Sequence, residues 1–162
     1  MNYEKAELRR HEDNLYVSGT GVLVMGAWEV IKIFMQVFLV SPESFRIETD
    51  TMEEKIIGYS VLIGIILIGA LVIMGIHAFI GLNAMSAARG KPYKKAYFGI
   101  SVVALVLNAL SITSYANFFT NPESMDTTIA TMLVDLTVIY IYFTMVNASI
   151  KIKKLKAAEQ EG

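Results

Sequence analysis

The chain has 162 residues, of which 54% are hydrophobic, and its mean hydropathy is +0.50. The net charge of −1 gives no indication of a nucleic-acid partner, and the lack of cysteine excludes disulfides, thiol redox chemistry and thiolate metal sites. The apolar residues form four blocks, each long enough to cross a bilayer as a helix, which takes about 20 residues. We therefore predict an all-α integral membrane protein, a four-helix antiparallel bundle that forms one domain over the whole chain.

The predicted spans follow the apolar blocks in chain order. They cover about Val17 to Val40, Ile56 to Asn83, Ala96 to Asn117 and Thr127 to Ile150. Short tails, 1–16 and 151–162, flank them, and the fourth helix is expected to continue into the second tail. The first block follows a long hydrophilic run, so we expect a retained helix and not a cleaved signal. Transmembrane strands are excluded, because strands of about 10 residues would alternate apolar and polar residues, whereas these blocks are continuous.

Lysine and arginine are distributed unevenly outside the predicted spans. Eleven lie in the two tails and the loop between helices 2 and 3, whereas the other two loops contain only Arg46 and Lys55. The positive-inside rule then predicts that both termini lie on the cytoplasmic side of the plasma (inner) membrane. The loop and C-terminal basic residues are expected to fix this topology and to contact anionic lipid headgroups. They are Arg89, Lys91, Lys94, Lys95, Lys151, Lys153, Lys154 and Lys156.

Polar or small residues fall on single faces of three predicted helices. In helix 3 they are Tyr97, Ser101, Ala104, Asn108, Ser111 and Tyr115. In helix 1 they are Met25, Glu29, Lys32 and Gln36, and in helix 4 Thr128, Thr131, Asp135, Tyr142 and Ser149. Because lipid offers no hydrogen-bond partners, these faces are predicted to turn towards the interior of the bundle.

Four of these side chains are predicted to share one depth near the bilayer centre: Glu29, Lys32, Asn108 and Asp135. An ionisable residue at that depth costs about 2.5–3.5 kcal/mol on insertion scales, so each one needs a partner. Lys32 can pair with Asp135 across helices or with Glu29 on its own helix. One carboxyl is then left over. It is either protonated, because desolvation disfavours its charged form, or it binds a cation.

Six residues are secondary candidates: Trp28, Gln36, His77, Ser101, Ser111 and Tyr142. His77 is interpreted first as a packed, hydrogen-bonded histidine and second as a proton relay. Trp28 is expected to pack in the bundle, with stacking on an organic cation as the alternative. No metal constellation and no cofactor site is predicted.

Helix 2 differs from the others because it carries isolated glycines among bulky aliphatic residues. They are Gly58, Gly64, Gly69, Gly75 and Gly81. Small residues allow membrane helices to approach closely, so close packing is the first interpretation, and a backbone-lined pathway or hinge is the second.

Three functions remain open at this point. The first is a small homo-oligomeric transporter or channel that handles protons or cations at the midplane cluster. The second is a non-catalytic accessory subunit that binds another membrane protein through the same polar stripe. The third, a membrane enzyme, is disfavoured, because the sequence has no Ser/His/Asp set, HExxH or CxxC motif. Either leading interpretation makes the bilayer, and a second copy or another membrane protein, the expected partners.

Overall fold

The computed structural model describes residues 2–35, 37, 51–113 and 125–161. These residues are mainly helical and contain no strand. The four helices, in chain order, are α1 (Asn2–Met35), α2 (Met52–Ala88), α3 (Ala96–Ser111) and α4 (Met125–Glu161). The all-helical part of the predicted fold class is thus confirmed for the described residues.

Three of the helices are long and apolar enough to cross a membrane: α1, α2 and α4. The remaining helix, α3, is apolar but has 16 residues. It is therefore about 24 Å long, which is less than the roughly 30 Å thickness of a hydrocarbon core. The predicted continuation of this helix to Asn117 lies outside the described residues. Four complete crossings and their orientation therefore stay predictions.

The helices extend beyond the apolar blocks from which the spans are predicted. Helix α1 begins at Asn2, so the segment predicted as the N-terminal tail is helical. Helix α4 includes the lysine-rich segment that follows the fourth apolar block. Both segments lack proline and glycine, so nothing breaks the backbone hydrogen-bond ladder where hydropathy falls.

Local sequence explains both ends of α2. At its start Thr51 occupies the N-cap and its Oγ1 accepts the backbone N–H of Glu54 at 3.4 Å, while Glu53 and Glu54 place negative charge at the positive end of the helix. At its end Gly90 has a φ of 65°, and the N–H of Lys91 donates to the carbonyl of Ser86 at 2.9 Å. This arrangement is a Schellman motif, for which glycine is favoured because it adopts positive φ without steric cost.

The described chain divides into two compact units. The first comprises Met1–Val22 and Phe79–Gly162, and the second comprises Leu23–Ala78. The core of the first unit takes side chains from all four helices, including Leu15, Val22, Ile80, Ala84, Tyr97, Tyr142 and Met145. Among described apolar residues of the second unit, only Val37 and Ala70 reach comparable burial.

Candidate functional site

The four predicted cluster residues are divided between the two units. Glu29 and Lys32 lie three residues apart in α1, in the second unit, and both are partly buried. Asn108 in α3 and Asp135 in α4 belong to the first unit and are also partly buried. Ionisable side chains within apolar, membrane-length helices are rare, so Glu29, Lys32 and Asp135 stay candidates for a functional role. Their assembly into one cluster stays a prediction.

Much of the polar stripe on α3 is satisfied within its own helix. Asn108 Nδ2 donates to the carbonyl of Ala104 at 2.8 Å, and Ser101 Oγ donates to that of Tyr97 at 2.6 Å. Ser111 Oγ likewise donates to the carbonyl of Asn108 at 2.7 Å. Such bonds to a carbonyl one turn earlier satisfy part of the hydrogen-bonding capacity of a polar side chain in an apolar setting. One of the two amide N–H donors of Asn108 is therefore engaged by its own helix.

The stripe on α3 faces the core of the first unit at its first two turns. Tyr97 and Ser101 are the buried residues of α3, and the Tyr97 hydroxyl lies 3.1 Å from Ser149 Oγ on α4. Ser149 in turn donates to the carbonyl of Met145 at 2.8 Å. The sequence pattern places both hydroxyls on inward faces, and the structure shows that they contact each other across α3 and α4.

The secondary candidates lie in different environments. Tyr142 is only 2% exposed and belongs to the core of the first unit, whereas Trp28 is 41% exposed on α1. Ser111 is exposed, and Gln36 lies outside the described residues. The expectation that Trp28 packs in the bundle therefore finds no support within the chain itself, and a Trp28 face open to lipid, to a second copy or to a ligand agrees better with its exposure.

His77 is held in a packed position within the second unit. Its Nδ1 lies 2.8 Å from the carbonyl of Ile73, and because a carbonyl only accepts, Nδ1 donates this hydrogen bond. A Cβ built on Gly26 would stand 2.5 Å from His77 Cβ, so α1 approaches α2 at this point as closely as only glycine permits. The contact favours the packed-histidine interpretation.

The close glycine contacts involve Gly19 and Gly26 of α1, which the sequence analysis does not single out, and Gly81 of α2, which it does. A Cβ on Gly19 would stand 2.9 Å from the carbonyl oxygen of Gly81, which is itself buried. By contrast, nothing lies within 4 Å of a Cβ on Gly64, Gly69 or Gly75. The available signal for α1 is the spacing of Gly19 and Gly26, seven residues apart and hence on one helical face.

Several basic residues at one end of the first unit make specific contacts within that unit. Arg89 Nη2 donates to the Tyr16 hydroxyl at 2.6 Å, and its guanidinium carbon lies 4.3 Å from the Tyr16 ring centroid. Asn83 Oδ1 accepts the backbone N–H of Lys94 at 2.7 Å. On α4, Lys151, Lys153 and Lys154 are exposed, whereas Lys156 Nζ lies 3.0 Å from Glu12 Oε1. Sequence reasoning missed the roles of Tyr16 and Asn83, because each depends on a contact between separate elements.

Within residues 2–35, 37, 51–113 and 125–161, no group of three or more His, Asp or Glu side chains is placed to hold a metal ion. No protein-family model, curated protein or solved structure matches the chain. Arguments about its function therefore rest on its own residues: an all-helical protein with three helices able to span a membrane and partly buried ionisable side chains on two of them.

Proposed function

We propose that this protein is a small membrane transporter or channel that handles protons or cations and acts as a homo-oligomer. The observation that carries the proposal is the pair Glu29 and Lys32, partly buried on α1, a helix apolar enough to cross a membrane. Asp135 supplies a second carboxyl on α4, and Asn108 supplies an amide oxygen on α3. The sequence predicts that these four residues share one depth in the bilayer, and the proposal of a single site rests on that prediction.

The charge balance of these residues suits ion handling. The proposed site contains two carboxyls and one ammonium, and this excess of one acidic group in an apolar setting suits the binding of a proton or a cation. In this proposal Glu29 and Asp135 bind the ion, Lys32 adjusts the charge of the site and Asn108 adds a neutral ligand.

Homo-oligomer formation is supported by the exposure of α2. Only 6% of its most apolar 18-residue stretch is buried, against 22% for α1 and for α4. Gly64, Gly69 and Gly75 leave space on α2 into which another helix fits. Four helices rarely enclose a pathway alone, and symmetry would complete it.

An accessory subunit is the second candidate, and the same open surface of α2 favours it. In that case the surface accepts the helix of a different membrane protein, and the ionisable residues serve assembly. The two candidates differ in a measurable way. The transporter purifies as a homo-oligomer with intrinsic flux, and the accessory subunit co-purifies with another chain and has no flux.

The location in a plasma (inner) membrane with cytoplasmic termini is part of the proposal and is supported by the distribution of lysine and arginine. Because the chain has no cysteine, single cysteines report orientation without background. We expect Lys153→Cys to react with an impermeant maleimide only after cells are opened, and Glu53→Cys to react in intact cells. The reverse pattern contradicts the orientation.

The transport proposal is tested with purified protein in liposomes loaded with a pH- or cation-sensitive dye. We expect Glu29→Gln and Asp135→Asn to abolish flux while helix content and oligomer size stay unchanged. Glu53→Gln is the matched control, because it removes a carboxylate from an exposed position at the start of α2 and leaves flux intact. Normal flux in both Glu29→Gln and Asp135→Asn overturns the proposal.

A further inference from the structure

The first unit has a surface pocket of about 190 Å³ where α2 ends. Tyr16 of α1 forms one side, and Leu82, Met85 and Ser86 of α2 form another. Arg89 and Lys91 complete the lining at the end of α2. The pocket therefore has apolar and hydroxyl groups on its helical walls and two cationic side chains at its rim.

Arg89 is oriented before any ligand arrives. Its guanidinium lies over the Tyr16 ring and donates one hydrogen bond to the Tyr16 hydroxyl. A planar guanidinium has five N–H donors, so four remain for a ligand, in a geometry that matches two oxygens of a phosphate. Because stacking and hydrogen bonding hold the side chain, less of its rotamer freedom remains to be lost on binding.

The backbone holds Lys91 at the same rim. The Schellman motif fixes the chain at Gly90 and Lys91, and the hydrogen bond from Lys94 N–H to Asn83 Oδ1 ties the following loop back onto α2. The carbonyls at the end of α2 carry a partial negative charge of about one half, but the full charges of Arg89 and Lys91 exceed it. Glu12, one turn before Tyr16, is neutralised by its contact with Lys156.

The size and the lining of the pocket favour one kind of anion. Its volume lies below the roughly 300–1,000 Å³ that is usual for sites of complete organic ligands, so it accepts a headgroup-sized portion. Leu82 is 53% exposed and belongs to the apolar helix α2, so the apolar wall of the pocket opens onto a surface that lipid chains would cover. A molecule with a phosphate next to an acyl chain matches both the cationic rim and the apolar wall of the pocket.

We propose that this pocket is a specific binding site for the phosphate headgroup of an anionic phospholipid, with Arg89 and Lys91 binding the phosphate and Tyr16 positioning Arg89. This differs from a diffuse attraction of basic residues to a charged membrane, because it depends on one oriented guanidinium and not on net charge. It is independent of whether the protein transports ions.

Native mass spectrometry of the purified full chain tests the proposal. Phosphatidylglycerol, phosphatidylcholine with the same acyl chains, and inorganic phosphate are each added at equal concentration. We expect bound phosphatidylglycerol in preference to phosphatidylcholine. Arg89→Gln should lower its apparent affinity about tenfold, which is the loss expected for a charge-assisted hydrogen bond. Tyr16→Phe keeps the ring but loses the hydroxyl, so it should lower affinity less, by about threefold.

Lys153→Gln is the matched control, because it removes the same charge from an exposed lysine on α4, outside the pocket, and it should leave affinity unchanged. Lys91→Gln, in the exposed loop, gives a second measurement if Arg89→Gln impairs folding, and it should also weaken binding. The site is overturned if Lys153→Gln weakens binding as much as the pocket variants, or if both lipids bind equally. The lipid assignment is overturned if inorganic phosphate alone binds as well as phosphatidylglycerol.

Discussion

The two units are both apolar, but they bury their residues very differently. Within the first unit, side chains from all four helices form a core in which Val22, Ile80, Ala84 and Met145 have no measurable exposure. Within the second unit, large aliphatic residues of α2 such as Ile65 and Leu71 are more than 60% exposed. Apolar character is therefore a poor guide to burial in this chain, as expected where lipid replaces water around apolar surfaces.

Small residues distinguish the packed unit from the open one. The second part of α2 contains Ala84 and, three and four residues later on the same face, Ala87 and Ala88, and all are buried. The first part of α2 has bulky residues with isolated glycines, and Gly64 and Gly69 meet nothing. The continuous small face of α2 packs within the chain and the interrupted one is open, which is the pattern expected of helices that associate in lipid through close approach.

The largest effect on stability is expected from removing one large side chain from the core of the first unit. Tyr142→Ala removes a ring that is 2% exposed and should lower the free energy of unfolding by about 3–5 kcal/mol through lost contacts and a cavity. Tyr140→Ala is the control two residues away, because Tyr140 is 68% exposed, and it should change stability by less than about 0.5 kcal/mol. Unfolding followed by circular dichroism in mixed detergent measures both. Equal losses would show that the two tyrosines do not differ in burial in the folded protein.

A smaller effect is expected from adding a methyl group to a glycine in each unit. Gly19→Ala places Cβ 2.9 Å from a backbone carbonyl that cannot easily move, and it should cost about 1–3 kcal/mol. Within its own chain Gly64→Ala meets nothing, so a single copy should be unchanged or stabilised by up to about 1 kcal/mol, because alanine favours helix. The same unfolding assay is used, together with the oligomer size. A loss of stability and of oligomer size in Gly64→Ala would identify this glycine face as a contact between copies.

The smallest effect concerns the polar ends of α1 and α4. The Glu12–Lys156 contact is partly exposed, so a double-mutant cycle with Glu12→Gln and Lys156→Gln should give a coupling of about 0.2–1 kcal/mol that falls with added salt. A control cycle with Asp13→Asn and Lys153→Gln, which remove exposed charges from the same two helices, should give none. Equal coupling in both cycles would attribute the effect to net charge and not to this pair.

The apolar blocks of the sequence correctly predict helices in the four segments, because helix is the secondary structure that satisfies every backbone group without a partner. They do not predict that α1 begins at Asn2, because hydropathy marks where a membrane-like segment ends and not where the hydrogen-bond ladder ends. The stripe on α3 is predicted from residue spacing. The hydrogen bonds of Ser101 and Asn108 to their own helix are not, since they depend on side-chain rotamers.

For this protein the sequence alone determined the helical class, the candidate spans and the basic character of one end, since these follow from composition and period along a single chain. Only the tertiary structure decided which glycines permit close approach of two helices. Gly19 and Gly26 have close neighbours on α2, whereas Gly64 and Gly69 have none within 4 Å. It also showed that Arg89, one of many basic residues in the sequence, is stacked over the Tyr16 ring and hydrogen-bonded to its hydroxyl. Such contacts join residues far apart in the chain, so they depend on how the helices meet and not on the pattern within any one of them.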